Sequence, residues 1–104
     1  MRKKYNIKTL PSFFRDLDDI LNYITNELYN SIAAHQLLKE LDSKLKVISI
    51  FPKIFEKYSP KTNRNYIYYK VNIKNYCIFY TIHGNTVALR RLLYSKRNFE
   101  SLIN

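Results

Sequence analysis

Five side chains that can take part in phosphate chemistry lie within eight residues near the C-terminus: Arg90, Arg91, Tyr94, Lys96 and Arg97. Several cations beside one phenol suit cleavage of RNA through its 2′-hydroxyl. That reaction needs a base for the 2′ proton, cations for the non-bridging phosphate oxygens, and an acid for the leaving 5′ oxygen. Neighbouring cations lower the pKa of a Lys or Tyr, so either type can serve as the base.

Lys70 and Arg64 are expected to join this cluster and form a cationic pocket that carries one tyrosine. On a regular strand Arg90 and Arg91 point to opposite faces of the sheet, with Tyr94 on the Arg90 side. The alternative interpretation is that these residues only solvate a sheet edge, where Lys and Arg prevent aggregation.

The charge of the chain is placed unevenly. Residues 57–104 carry nine Lys or Arg and one acid, Glu100, whereas nine basic side chains face seven acids in residues 1–56. The net charge is +10, and the basic half also holds most of the tyrosines. This distribution favours a polyanionic partner such as nucleic acid or an acidic protein.

Composition excludes several classes of function. The chain has one glycine, so a glycine-rich phosphate loop is absent, and no Ser-His-Asp motif is recognisable. One cysteine and two separated histidines predict no disulfide and no metal site, and we expect no cofactor. No apolar run approaches the roughly 20 residues of a membrane span. We therefore expect a single cytoplasmic domain over residues 1–104, with no membrane partner.

Periodicity predicts the order βααβββ. Residues 5–9 alternate as a strand, and apolar residues then recur every three or four positions along two helices, the first capped by Ser12 and the second by Asn30-Ser31. Residues 52–65 have no period and are interpreted as an exposed basic loop. Three strands follow, with turns at Lys74-Asn75 and Gly84-Asn85. The expected fold is α+β, with a helical hairpin on one face of a small antiparallel sheet and a more open opposite face.

Several stretches in this order resemble the RelE/ParE superfamily of toxins from bacterial type II toxin–antitoxin modules. The matching stretches are LDDILNYI at 17–24, Ala33-Ala34 with Leu37-Leu38, Phe51-Pro52, NYCIFYTI at 75–82 and RLLYSKRN at 91–98. The resemblance covers nearly the whole chain and implies the same βααβββ order.

The resemblance implies two possible mechanisms. RelE-like members cleave messenger RNA in the ribosomal A site, and ParE-like members poison DNA gyrase. Arg97 matches the C-terminal arginine that RelE-like members use at the scissile phosphate, and Lys70 lies near a basic strand position of that group. A further RelE-like arginine is replaced by Asn72, and the long helical hairpin is more typical of ParE-like members.

On these grounds the sequence favours a ribosome-dependent mRNA endonuclease that needs no metal. The catalytic candidates are Arg97, Tyr94 and Lys70, and the candidates for binding nucleic acid are Arg64, Arg90, Arg91 and Lys96. The alternatives are a gyrase inhibitor without nuclease activity and a non-toxic module that only binds nucleic acid. Both toxin mechanisms imply a cognate acidic antitoxin that folds on the basic surface, and the ribosome with mRNA, or DNA gyrase, as target.

Overall fold

A computed structural model describes residues 4–59 and 67–97 of the chain. In these ranges strand β1 (Asn6–Thr9) leads into helix α1 (Pro11–Asn22), which continues as a π-helical turn (Tyr23–Glu27). Helix α2 (Ser31–Ile50) follows. Strands β2 (Glu56–Tyr58), β3 (Tyr68–Ile73), β4 (Tyr76–His83) and β5 (Thr86–Tyr94) complete the order. The α+β class and the helical hairpin on a sheet are confirmed.

The sheet has the strand order β1-β5-β4-β3-β2. Neighbouring strands are antiparallel except β1, which pairs parallel with β5 from Asn6 opposite Thr86 to Thr9 opposite Leu89. The sheet is therefore mixed rather than wholly antiparallel. Periodicity identifies β1 as a strand. Its partner depends on the path of the helical hairpin, which carries the chain from the β1 edge of the sheet to the β2 edge.

Strand β2 lies inside the segment that the sequence suggested was a loop. Its three residues pair with β3, with Glu56 opposite Lys70 and Tyr58 opposite Tyr68. A strand of three residues at a sheet edge is too short to show a period of two. Pairing with β3 keeps β2 extended, and no pattern among its own residues predicts the strand.

The helix boundaries show where local capping signals succeed and fail. Asn30 caps α2, since its Oδ1 accepts from the backbone N–H of Ala33 at 3.0 Å. The predicted cap of α1, Ser12, is wrong: the N-cap is Leu10, and Pro11 takes the first helical position, where its missing N–H costs nothing. Ser12 instead donates its hydroxyl to the backbone carbonyl of Arg90 at 2.6 Å.

The π-helical turn changes the phase of the first helix. The Leu28 N–H donates to the carbonyl of Tyr23, five residues back, at 3.1 Å. One extra residue in a turn rotates later side chains by about 100°. Ile24 therefore stays buried, whereas Leu28, predicted to continue the same apolar stripe, is 55% exposed.

The main core lies between the helices and one face of the sheet, called here the helix face. Its buried members are Phe13, Ile24, Ala34, Leu37, Leu41, Ile48, Tyr69, Val71, Ile73, Ile78, Tyr80, Val87, Leu89 and Leu92. Removing one such aliphatic side chain down to alanine typically costs about 2–5 kcal/mol. This core fixes β5 against α1, and so fixes the surroundings of the arginines on β5.

The opposite face of the sheet, called here the second face, is less open than predicted. Tyr68, Cys77, Phe79 and Leu93 form a separate cluster there, each at most 2% exposed, with Tyr58 packed against it. Tyr58 meets Phe79 edge to face, with ring centroids 5.5 Å apart. A broad platform for stacking bases is therefore not available in the middle of this face.

Candidate functional site: the arginine-bearing strand and its two ends

An irregularity in β5 decides where its two arginines point. Tyr80 of β4 lies opposite Leu89, but the preceding residue Phe79 lies opposite Arg91, so Arg90 is an extra residue on β5. Such a β-bulge places two consecutive side chains on the same side. Leu89 and Leu92 both lie in the main core although they are three positions apart. Arg90 and Arg91 therefore share the second face, contrary to the alternation expected from the sequence.

The bulge also changes the face on which Tyr94 lies. Tyr94 is opposite Tyr76, whose ring packs against the main core, and the two rings meet edge to face at 6.0 Å. Tyr94 is thus on the helix face. The prediction that it shares a face with Arg90 is wrong, because the alternation does not survive one inserted residue.

Arg91 is held by helix α1. Its Nε donates to Oδ2 of Asp16 at 2.7 Å, and its Nη2 donates to Oδ1 at 2.9 Å. The backbone N–H of Leu92 also donates to Oδ2 of Asp16, at 2.9 Å. This bidentate pair joins α1 to the part of β5 that continues past β1. Arg91 was predicted to bind nucleic acid, and in the structure its guanidinium serves this contact.

Arg90 has a different neighbour. Its Nε donates to the hydroxyl of Thr81 on β4 at 3.0 Å, and the same hydroxyl lies 2.8 Å from Nε2 of His83. Thr81 is buried, whereas His83 is exposed at the end of β4. The three residues form a polar group on the second face beside the Gly84 turn. Neither Thr81 nor His83 is among the site residues that the sequence predicts.

The remaining candidates from the C-terminal cluster lie past the end of β5. Tyr94 and Arg97 line a cavity of about 110 Å³ together with Asp16 and Asp19 of α1. The N–H of Arg97 donates to the carbonyl of Tyr94 at 3.0 Å in the turn, and Lys96 is exposed in the same turn. Burial, together with the nearby Tyr94 and Tyr23, raises the pKa of Tyr76 above its ordinary value.

Lys70 lies on the second face, separated from Tyr94 by the sheet. It is opposite Glu56 on β2 and opposite Phe79 on β4. Its charge acts on Cys77, where burial raises the pKa of the thiol and Lys70 partly lowers it. The thiol also donates to Oδ1 of Asn72 at 3.0 Å. The three predicted catalytic residues are therefore not brought together, and Arg64 lies outside the described residues.

Neither a candidate metal site nor a membrane-spanning helix occurs in the described part of the chain. No group of three or more His, Cys, Asp or Glu side chains in residues 4–59 and 67–97 is placed to hold a metal ion. Within the same ranges, no helix is both long and apolar enough to cross a membrane.

Comparison with known families identifies the chain. A sequence profile described as the ParE toxin of the type II toxin–antitoxin system parDE matches residues 7–99. The chain belongs to the ParE toxin family. This match includes β1, both helices and β5, so the RelE/ParE resemblance stated from the sequence is confirmed, and within it the ParE branch is matched.

A solved structure supports the same fold. A chain titled "Chromosomal ParDE TA system from P. aeruginosa" superposes on this ParE family member with a TM-score of 0.69 at 12% sequence identity. The alignment covers 90% of this chain and 99% of the solved one. Comparison with curated protein sequences finds no significant match. The two chains therefore share their architecture, although most of their residues differ.

Proposed function

We propose that this chain is a toxin that stops growth by binding DNA gyrase and does not cut messenger RNA. The observation that carries the proposal is the position of the candidate catalytic residues. Lys70 lies on the second face of the sheet, and Tyr94 and Arg97 lie at the other side of β5 beside α1. The ParE family match adds independent support.

The pocket beside Arg97 is poorly suited to a scissile phosphate. Cleavage through the 2′-hydroxyl needs a base, an acid and phosphate-binding cations within hydrogen-bonding reach of one reacting group. Here Asp16 and Asp19 share the cavity with Arg97. Arg91 offsets the charge of Asp16, but the Asp19 carboxylate repels a phosphate. At about 110 Å³ the cavity is also smaller than the roughly 300 Å³ at which ligand pockets usually begin.

A toxin without hydrolytic chemistry needs a surface that binds its target. The tip of the helical hairpin has the properties of such a binding surface. Leu28, Tyr29 and Ile32 are 55%, 88% and 70% exposed. Clustered exposed apolar side chains mark interaction sites. Tyr29 also has a φ of +50°, a left-handed backbone that costs a bulky residue roughly 1–2 kcal/mol and is often kept at functional sites.

A small apolar cavity lies directly beside this tip. It has a volume of about 200 Å³ and is lined by Leu28 of the loop, Ile24 of the π-helical turn, Leu37 of α2 and Tyr76 of β4, among others. A cavity of this size accepts one apolar side chain of a partner, which is how anchoring residues give most of the binding free energy at interfaces. We assign the hairpin tip as the gyrase-binding surface.

The second partner in this proposal is an antitoxin. The solved relative belongs to a ParDE system, and the net charge of +10 would attract an acidic, partly disordered chain. We propose that such a protein, encoded beside this one, binds the toxin and prevents its access to gyrase.

The test combines two assays of the intact chain. Purified protein added to gyrase and relaxed plasmid is expected to reduce supercoiling and to accumulate cleaved DNA. Primer extension on abundant messengers, minutes after induction without the antitoxin, is expected to show no new cuts. Cuts within translated codons together with unaffected gyrase would overturn the proposal in favour of the ribosome-dependent nuclease.

A matched pair of variants locates the surface. Replacing Leu28 and Ile32 with serine is expected to reduce gyrase inhibition at least about tenfold, as loss of central apolar anchors does at other interfaces. Replacing Ile54, which is 64% exposed in the loop after α2, with serine should leave inhibition unchanged. Equal activity of both variants would remove the hairpin tip from the proposal.

A further inference from the structure

A cleft at the other end of the sheet has no role in the function proposed so far. It opens where β4 ends, has a volume of about 660 Å³, and is lined by Lys53, Ile67, Tyr69, Thr81, Ile82 and His83. This volume lies within the range of about 300–1,000 Å³ that is usual for ligand sites. Pairing between β3 and β4 begins at Tyr69 opposite Tyr80. Thr81 to His83 therefore extend past the part of β4 that pairs with β3, although they still pair with β5, and they form one wall.

The polar part of the cleft is held in place by hydrogen bonds. Thr81 is only 1% exposed, and its hydroxyl accepts from Nε of Arg90 and lies 2.8 Å from Nε2 of His83. Arg90 directly follows Leu89 of the main core, so its side chain leaves β5 on the opposite face, where Thr81 lies. The Arg90 guanidinium and the His83 imidazole thus both contact this hydroxyl, and the positive charge of Arg90 beside the cleft wall favours an anion in the cleft.

A second cation reaches the cleft from the loop after α2. The hydroxyl of Tyr80 donates to the backbone carbonyl of Pro52, which fixes the residue preceding Lys53. Burial raises the pKa of Tyr80, and Tyr69 adds to the effect, so this hydroxyl keeps its proton and its hydrogen bond to higher pH than an exposed phenol does. Lys53 is exposed and therefore meets an incoming anion while its backbone is fixed.

The remaining walls are apolar. Ile67, which is 57% exposed, faces the cleft with Ile82 and Tyr69. An apolar wall beside a phosphate-binding group suits a deoxyribose better than a ribose, because a 2′-hydroxyl against it would lose its hydrogen bonds to water.

We propose that this cleft binds the phosphodiester backbone of DNA, with Lys53 and His83 donating to phosphate oxygens and Ile67 and Ile82 against the sugar. Arg90 is a positioning residue that orients the Thr81 hydroxyl. The choice of DNA over another phosphate polymer rests in part on the proposed function, since gyrase holds DNA and a toxin docked on it would lie close to that strand.

The experiment measures the affinity of the full-length chain alone for fluorescent DNA and RNA duplexes of about 20 base pairs, between about 50 and 200 mM salt. Lys53→Gln is expected to weaken DNA binding about tenfold at low salt and to reduce the slope of log K against log salt by about 0.9. Lys39→Gln removes the same charge from the exposed side of α2 and should change affinity less than twofold. His83→Asn provides a second variant if Lys53→Gln does not fold.

The results distinguish a local binding site from attraction by the net charge, and DNA from RNA. Equal losses in Lys53→Gln and Lys39→Gln would overturn the site, because the attraction would then come from the net charge as a whole. RNA bound as tightly as DNA would overturn the assignment to DNA. The measurement contains no gyrase, so binding that depends on Lys53 in a protein that leaves gyrase active would support the cleft and reject only the proposed function.

Discussion

Two neighbouring arginines on β5 contact different elements of the fold. Arg91 joins α1 through a bidentate pair with Asp16, and Arg90 joins β4 through the hydroxyl of Thr81 beside an open cleft. Both side chains leave the same bulge on the same face. Their different surroundings show that the partner within reach, rather than the residue type, decides whether a cation joins two elements of the fold or lies beside an open cleft.

The largest effect is expected from removing Asp16, the partner of Arg91. In Asp16→Ala the Arg91 guanidinium and the Leu92 N–H both lose their acceptor at a site where Asp16 is 13% and Arg91 25% exposed. We expect the free energy of unfolding to fall by about 3 kcal/mol, measured by urea denaturation. Asp18→Ala, on the exposed side of the same helix, should change it by less than about 0.5 kcal/mol. Similar values for the two variants would mean that the pair with Arg91 contributes little.

A second experiment acts on the cleft end through Tyr80. Its folded-state pKa is raised from the ordinary 10.0, so above about pH 10 the unfolded chain loses this proton first. The contribution of Tyr80 to the free energy of unfolding is therefore fully present below that pH. It falls as pH rises above it, by up to about 1.4 kcal/mol per pH unit. Denaturation curves between neutral and strongly alkaline pH should show this decline.

Tyr80→Phe is the matched control for the alkaline decline. At neutral pH it loses the hydrogen bond to Pro52 and about 1 kcal/mol of stability, and its stability should fall less steeply above pH 10. Tyr76, whose pKa is also raised, retains a part of the slope. An unchanged alkaline slope in the variant would contradict the assignment to Tyr80.

The smallest effects are expected when each of the two arginines is replaced by lysine. Arg91→Lys keeps the charge but loses the fork that matches Asp16, which should cost about 1 kcal/mol of stability. Arg90→Lys interrupts one hydrogen bond to Thr81 and should cost about 0.5 kcal/mol. Thermal melting of both variants measures the difference, and the reverse order would show that the cleft end stabilises the fold more than the α1 end does.

The sequence predicted elements with a clear period and a local cap. Strands β4 and β5, the Asn30 cap and the end of α2 before Pro52 were recognised because their signals lie in neighbouring residues. The parallel pairing of β1 and the short strand β2 depend on contacts between distant residues. No local pattern contains that information.

The candidate site was harder to predict because one inserted residue changes the face of every later side chain. A continuous alternation along β5 predicts that Tyr94 shares a face with Arg90 and that Arg90 and Arg91 lie on opposite faces, and the bulge reverses both predictions. One signal for the bulge was present in the sequence: Leu89 and Leu92, both suited to a core, are three residues apart across two arginines. The role of Asp16 had no such signal, since acids near a helix start are common for electrostatic reasons alone.

The parallel pairing of β1 with β5 has a consequence for the time at which the toxin becomes complete. Residues 6–9 have their partner strand at residues 86–89, so β1 leaves the ribosome long before that strand exists. At about 5–20 residues per second, the intervening chain takes roughly 4–15 s to make. Until then β5 cannot join α1, and neither the arginine pair nor the cleft is assembled. For those several seconds the growing chain has neither its closed sheet nor the contacts that depend on it.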